Sequence, residues 1–315
     1  MDTATKILVI GDPHFQVKNI PEVDEFVEKL EKHIQSETNL DSIIILGDVL
    51  HTHERLHTTA LNKAYDFVQR VSKYTKTYVL VGNHDMTDNT QFLTDKHWMN
   101  AMKKWENVVV VDFPIKETIN NIQVTLCPYV FPGRFVEALN HTDNWKSSSC
   151  IFAHQEIKGC KMGAIISESG DEWKEEYPLV VSGHIHSNQW VGDNVYYPGS
   201  AMQHAFGEST KNIISILEFD EEGSCSYTEI DLQLPRKEIV YLNIDDVNDY
   251  KIDTTNKVKL SISGSYEEFK TFKKTEKYKK LTKNGVKVIF KPTKLQILSE
   301  KASLSYKEGD FSSIL

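Results

Sequence analysis

A chain of 315 residues, 40% apolar and 26% charged, has room for one large domain or two and for a sizeable core. It carries no apolar run of membrane-spanning length, and its first apolar stretch, Lys6–Ile10, is too short for a signal-peptide core. The net charge of −9 hides a division: residues 1–235 hold 19 Lys and Arg against 34 Asp and Glu, a net −15, whereas residues 236–315 hold 17 against 11, a net +6.

The elements follow in chain order. Lys6–Ile10 reads as a strand ending at Gly11, with Asp12 and His14 just past it. Pro21 opens a helix whose Val23, Phe26, Val27, Leu30 and Ile34 share one face. Ile43–Leu46 is a continuous apolar run, read as a buried strand, and Gly47 lets the backbone turn sharply so that Asp48 faces a crevice. His51, His53 and His57 come next; His51 lies near the same strand end, and the other two read as a polar loop. A helix is predicted over 59–73. Thr77–Val81 repeats the strand pattern, ending in Gly82-Asn83-His84-Asp85. Residues 90–105, with Phe92, Leu93, Trp98 and Met102, read as a further helix, then Val108–Val111 and Ile122–Val130 as strands. Pro128–Phe135 is an aromatic, proline-rich stretch, either a packed surface loop or a substrate wall. Cys150–Gln155 is a strand carrying His154. Leu179–His186 is another, in which an extended His184 and His186 would point the same way. Residues 211–219 and 225–232 read as a hairpin. For His97, His141 and His204 no motif in the sequence suggests a role, and they read as structural. The four cysteines, Cys127, Cys150, Cys160 and Cys225, form no C-x-x-C pair and read as free thiols of a reducing compartment, so the protein is expected to be soluble and intracellular.

Taken singly, each polar residue after a strand is a turn former or a helix cap. Taken together, Asp12, His14, Asp48, Asn83, His154, His184 and His186 are two carboxylates, one amide and four imidazoles after five apolar strands. Such a set fits two cations sharing Asp48. Nitrogen and oxygen donors without thiolate suit Mn²⁺, Fe²⁺ or Zn²⁺ better than Mg²⁺ or Ca²⁺. Two ions about 3.5–4 Å apart clamp a phosphoryl group, and the leaving oxygen then needs a proton or a positive neighbour. His84 is the candidate for that role, Asp85 for orienting it, and His51 for holding or rotating the phosphate.

The blocks D-x-H, G-D-x-x-H, G-N-H-D, a lone His after a strand, and G-H-x-H span residues 6–187, and in order and spacing they resemble the calcineurin-like metallophosphoesterases. The block Tyr197–Ser200 with Phe206-Gly207-Glu208, and His51 after G-D-V-L, resemble a narrower branch. These are the SbcD-type DNA repair nucleases of the SbcC–SbcD and meiotic-recombination complexes, with their phage and viral relatives. The resemblance implies an α/β (α+β) fold, a two-sheet β-sandwich flanked by helices with a small C-terminal α/β cap. The nuclease domain would be 1–235 and the cap 236–315. It also implies Asp12, His14, Asp48 and His186 around one ion and Asp48, Asn83, His154 and His184 around the other. Two Mn²⁺ would be preferred, with Fe²⁺, Zn²⁺ or Mg²⁺ as alternatives. Implied partners are DNA, an SbcC-type ATPase and a second copy of the chain, with no membrane. The setting would be cytoplasmic, in the host if virally encoded, or nuclear if eukaryotic.

In the cap, strands at 238–244, 257–264 and 286–290 are expected around a helix near Tyr266–Lys280. Its Lys273, Lys274, Lys277, Lys279 and Lys280 read either as a DNA-binding face or as a solvated one. Family members continue into helices that grip the ATPase. Here the last residues to Leu315 are polar without an apolar helical period, so either the sequence is cut or that partner is held differently. The leading expectation is a Mn²⁺-dependent DNA exo- or endonuclease acting in break repair, recombination or end processing. A phosphatase or cyclic-nucleotide phosphodiesterase explains the metal residues but not the basic cap, and a non-catalytic scaffold predicts eroded ligands that are not seen.

Overall fold

A computed structural model describes residues 4–53 and 55–292. The described residues divide into two compact units, one within residues 1–204 and 208–234 and the other within residues 205–207 and 235–315. Unit 1 contains β1 (Thr5–Ile10), α1 (Ile20–Ser36), β2 (Ser42–Ile45), α2 (Thr58–Val71), β3 (Thr77–Leu80), β4 (Val108–Val111), β5 (Ile115–Ile119) and β6 (Ile122–Leu126). It continues with α3 (Phe135–Leu139), β7 (Cys150–His154), β8 (Lys161–Met162), β9 (Ile165–Ile166), β10 (Leu179–Gly183), β11 (Gln189–Val191), β12 (Val195–Tyr197), β13 (Ile214–Phe219) and β14 (Cys225–Ile230).

Two six-stranded sheets result, ordered β14-β13-β1-β2-β3-β4 and β11-β12-β10-β7-β6-β5. The runs β1–β4 in the first and β12-β10-β7-β6 in the second are parallel. This is the two-sheet α/β architecture that the family resemblance implies. Period-2 alternation assigns each strand residue to a layer. Ile7, Val9, Ile44 and Leu46 meet Val124, Phe152, Val181 and Tyr196 between the sheets. Leu8, Ile10, Ile43 and Ile45 face the other way, onto Phe26 and Leu30 of α1 and Phe67 and Val68 of α2. The outer face of the second sheet is covered by Phe135, Leu139 and Trp145. Because both faces of the central strands are buried, these read in sequence as unbroken apolar runs.

Some expected elements differ. The predicted helix over 90–105 is only a 3-10 segment, Trp98–Lys104, started by His97, whose Nδ1 accepts from the backbone N–H of Met99. Residues 127–130 are not strand. The short β8, β9 and β11 carry too few positions to be read from pattern alone, and β5, Ile-Lys-Glu-Thr-Ile, holds no apolar run.

Unit 2 is a parallel sheet of β15 (Lys237–Asn243), β16 (Lys257–Gly264) and β17 (Lys287–Pro292). Its core is Val247, Leu260, Ile262, Phe269, Phe272 and Leu281. The single helix expected near Tyr266–Lys280 is two, α4 (Tyr266–Phe272) and α5 (Glu276–Lys283). Thr275 breaks them: its hydroxyl caps α5 by accepting from the Tyr278 N–H. Residues 293–315, including the polar stretch before Leu315, lie outside the described residues. No helix among the described residues is long and apolar enough to cross a membrane.

Candidate metal centre

Every residue of the predicted set stands at, or just past, the carboxyl end of a parallel strand. There the last backbone carbonyls and the following loops converge. Asp12 and His14 follow β1, Asp48 follows β2, and Asn83 follows β3. His154 ends β7, and His184 and His186 follow β10. The loops turn sharply. Asp12, His14, Asp48 and His184 all have positive φ, at 36°, 47°, 50° and 77°. For residues other than glycine that conformation is uncommon and strained, and it clusters at functional sites. His184 is therefore not in an extended segment as predicted. A left-handed turn, not strand alternation, sends His184 and His186 to neighbouring positions. Packing is equally tight: a Cβ added at Gly82 would stand 2.2 Å from Asp48 Oδ1.

The two oxygens of Asp48 divide the donors into two sets. Oδ2 lies 3.5 Å from His14 Nε2, which in turn lies 3.0 Å from His186 Nε2. Oδ1 lies 3.4 Å from His154 Nε2, which is 3.0 Å from Asn83 Oδ1; His184 Nδ1 is 2.8 Å from the same amide oxygen. Donor atoms of Asp12, His14 and His186, and of Asp48, His154 and His184, gather closely enough to hold an ion each.

The residues fit divalent cations on chemistry as well as spacing. Asp12 Oδ2 is buried without a hydrogen-bond partner, although Oδ1 accepts from the His184 backbone N–H at 2.8 Å. An orphaned carboxylate oxygen in a buried site calls for an ion or a water. His154 Nδ1 donates to the Leu46 carbonyl at 2.7 Å, so Nε2 is the nitrogen turned toward Asn83 Oδ1 and Asp48 Oδ1, and once deprotonated it offers its lone pair among two oxygen donors.

Electrostatics in the metal-free site follow from burial and crowding. Burial raises Asp12 to about 6, His154 and His186 pulling down against it and Asp48 pushing up. Burial would lower His154, yet the charge and hydrogen bond of Asp48, with Asp12, raise it to about 9. Burial and the neighbouring His154 lower His184 to about 3. Asp48 is held well below the carboxylate range despite its burial, by His154 and then His14 and His84. The protein without ions thus stores a proton on His154 that a cation must displace.

His84 and His51 belong to neither group around Asp48, but with His14 they form a third cluster of nitrogen donors close enough to hold an ion. His84 Nδ1 donates to the His51 carbonyl at 2.7 Å, and its backbone N–H donates to Asp48 Oδ1 at 2.8 Å. The ring stacks between His51 and His53, with centroids 5.6 and 4.5 Å away. His51 Nδ1 is 3.4 Å from His14 Nδ1. Asp85 does not orient His84. Its buried carboxylate accepts from the N–H groups of Gly82, Leu50 and Val49 and from Trp98 Nε1, at 3.1, 3.2, 3.4 and 2.8 Å. Those four donors use the carboxylate to tie the loop after β2 to the loop after β3. The orienting acceptor for His84 is a backbone carbonyl, which no residue type announces.

Sequence reasoning also passes over neighbours of the centre. His53, expected in a plain polar loop, stacks on His84. Tyr129 packs its buried ring against His184 and His154, with centroids 5.6 and 6.1 Å away. His204, expected to be structural, lies edge-on to His14 and His186, and its Nε2 donates to the Asp12 carbonyl at 2.9 Å. Glu208 places Oε1 3.8 Å from His186 Nδ1. Two of these have a signal in sequence: Glu208 through its place in the Phe206-Gly207-Glu208 block, and Tyr129 through the aromatic Pro128–Phe135 stretch. His97 does act structurally, paired with Asp112 at 3.1 Å.

In unit 2, Lys273, Lys274, Lys279 and Lys280 are exposed. Lys277 is not available as expected: its ammonium donates to the carbonyls of Asn248 and Tyr250 at 3.0 and 2.6 Å. Lys279 pairs with Glu276 at 2.6 Å.

Comparison with known proteins gives three findings. The sequence matches the family described as Calcineurin-like phosphoesterase over residues 5–212. Two viral proteins are similar over most of its length. One, named "Putative phosphoesterase 244L", from Invertebrate iridescent virus 6, is 49% identical over 278 residues, 86% of this chain and 98% of its own. The other, "Putative phosphoesterase 078R" from Invertebrate iridescent virus 3, is 46% identical over 297 residues, 92% of this chain and 85% of its own. Among solved structures, hypothetical protein PH1004 from Pyrococcus horikoshii OT3 aligns over 72% of this chain and 88% of its own, at 12% identity and a TM-score of 0.39.

Proposed function

The chain belongs to the calcineurin-like phosphoesterases, metal-dependent hydrolases of phosphoesters, and within that family we propose that it is a Mn²⁺-dependent DNA nuclease acting in break repair, recombination or end processing. The observation that carries the two-ion part is the division of donors about the two oxygens of Asp48. Asp12, His14, Asp48 and His186 would hold one cation, and Asp48, Asn83, His154 and His184 the other. When bound, the pair supplies Lewis-acid charge for phosphodiester hydrolysis.

The chain's own residues do the rest. The carbonyl of His51 fixes the Nδ1 proton of His84, so Nε2 is the atom that faces substrate chemistry. Burial holds His84 below the usual imidazole range, and the charge of Asp48 opposes it. An anionic phosphate at that face favours the protonated ring, whose Nε2–H then donates to the leaving oxygen. His51 is placed to hold a nonbridging oxygen. Tyr129, packed on His154 and His184, keeps water from that side.

Nucleic acid is favoured over a small phosphoester by the exposed Lys270, Lys273, Lys274, Lys280 and Lys283 on and beside α4 and α5, and by the SbcD-like block around Tyr197–Ser200 and Glu208. The viral relatives favour a host-cell setting. An SbcC-type ATPase and a second copy of the chain are the proposed protein partners. The test is cleavage of single-stranded, double-stranded and hairpin DNA with Mn²⁺, beside a phosphomonoester and a cyclic nucleotide. Turnover of the DNA substrates is expected to dominate; efficient turnover of the small esters with DNA left intact would establish a phosphatase or cyclic-nucleotide phosphodiesterase instead.

A further inference from the structure

Resting on the two-ion reading, we propose that Glu208 is a positioning residue for the cation site of Asp12, His14 and His186. His186 directs Nε2 toward His14 Nε2, 3.0 Å away, so its other nitrogen, Nδ1, is the one turned away from the ion position. Glu208 Oε1 stands 3.8 Å from that Nδ1. A carboxylate there holds the Nδ1–H tautomer and the ring orientation, and leaves the Nε2 lone pair for the ion. That is the usual arrangement behind a metal-bound imidazole.

The carboxylate is itself anchored. Its second oxygen accepts from the backbone N–H of His204 at 2.9 Å, closing a five-residue loop from 204 to 208. The same loop holds the other side of the site, because His204 Nε2 donates to the Asp12 carbonyl at 2.9 Å and its ring lies edge-on to His14 and His186, 4.8 and 5.3 Å between centroids. One loop therefore touches all three donors of this set. None of these bonds and ring pairs reaches Asn83, His154 or His184; the orienting bond of His154 comes from the Leu46 carbonyl just past β2. The second set has its own support, so loss of Glu208 should act on one ion and spare the other.

The experiment titrates the full chain, stripped with EDTA and dialysed, with Mn²⁺. Free Mn²⁺ is read by electron paramagnetic resonance and heat by calorimetry. The parent is expected to take up two ions. Glu208→Ala should weaken one of them by about 10–100-fold, leave the other within about twofold, and keep the parental melting temperature. Glu208→Gln keeps an acceptor oxygen for His186 and should lose less, and excess Mn²⁺ should restore occupancy in both variants. Two ions bound with parental affinity in Glu208→Ala would overturn the proposal, as would equal weakening of both. If the alanine variant fails to fold, Glu208→Gln carries the same comparison. A parent that binds fewer than two ions would instead overturn the two-ion reading, and the titration tells these failures apart.

Discussion

Metal affinity should depend on pH in a way the geometry of His154 fixes. Its Nε2 lies 3.4 Å from Asp48 Oδ1 and its Nδ1 3.7 Å from Asp12 Oδ1; burial pushes its pKa down, but those carboxylates bring it to about 9 in the metal-free protein. At pH 7 the ring then carries a second proton, which it must lose before Nε2 can bind a cation. Apparent affinity for the ion at Asn83, His154 and His184 should rise about tenfold per pH unit between about pH 6.5 and 8.5, then level off near pH 9. Below about pH 6 the slope should steepen for the ion at Asp12, which burial raises to about 6. Calorimetric Mn²⁺ titrations in buffers of different ionisation enthalpy measure both quantities, and close to one proton should leave per ion bound at this site at about pH 7. A flat affinity across that range with no proton released would refute His154 as a donor to that cation.

His84→Gln should bind both ions and DNA as the parent does, while turnover falls about 10²–10⁴-fold; an ion missing from the anomalous scattering of its crystals would make His84 a ligand instead. Asp48→Asn should weaken both ions at once, by more than the ~10–100-fold typical of a residue behind a ligand, and Mn²⁺ should restore EDTA-treated parent but not this variant. In the metal-free protein, His154 has a folded pKa of about 9 against 6.5 unfolded, so its stabilising contribution is full below pH 6.5 and is lost as pH rises through 9. The melting temperature of that form should fall from about pH 7 to 9, a fall that His154→Gln removes. Changing Lys273, Lys274 and Lys280 together to Glu should weaken DNA binding and flatten its salt dependence by about 0.9 in logarithmic slope for each phosphate no longer neutralised. Lys277→Ala should lower thermal stability instead, because Lys277 holds the carbonyls of Asn248 and Tyr250. Unchanged binding of the triple variant at every salt concentration would remove unit 2 from substrate recognition.

The central strands and the donors after them are legible because they obey one local rule. A strand buried on both faces is a continuous apolar run, and the polar residue that follows it stands at the strand's carboxyl end whatever the rest of the chain does. Asp12, Asp48, Asn83 and His154 can be picked out that way. The rule fails where contacts are non-local or run through backbone. Asp85 follows His84 directly in sequence, yet its carboxylate is spent on N–H groups from two loops and the Trp98 indole. His204 reaches Asp12 across 192 positions of sequence, with no periodicity to mark it. In the cap one helix is expected near Tyr266–Lys280, but Thr275 within that stretch has a hydroxyl that caps a new one. Lysine spacing says nothing about which ammonium the fold consumes, and Lys277 is consumed.

The same residues that offer donors to a cation also stitch the two sheets together, and this decides which substitutions isolate the chemistry. His154, on the second sheet, donates from Nδ1 to the Leu46 carbonyl of the first. Asp12, on the first, accepts through Oδ1 from the His184 backbone of the second. Positive φ at Asp12, His14, Asp48 and His184 costs on the order of 1–3 kcal/mol each, and burial of two carboxylates adds to it, so the folded site is held by those cross-sheet bonds and by any cation bound among them. Removing a donor therefore removes a stitch as well, and lost activity in such a variant mixes chemistry with folding. His84 differs. Its hydrogen-bonded link to the site is a backbone N–H on Asp48 Oδ1, which survives any side-chain change except proline; its ring makes one hydrogen bond, to the adjoining His51 carbonyl, and an edge contact with His14. A glutamine there leaves both sheets joined and both donor sets intact, so a fall in turnover at His84 reports on proton transfer rather than on the integrity of the centre.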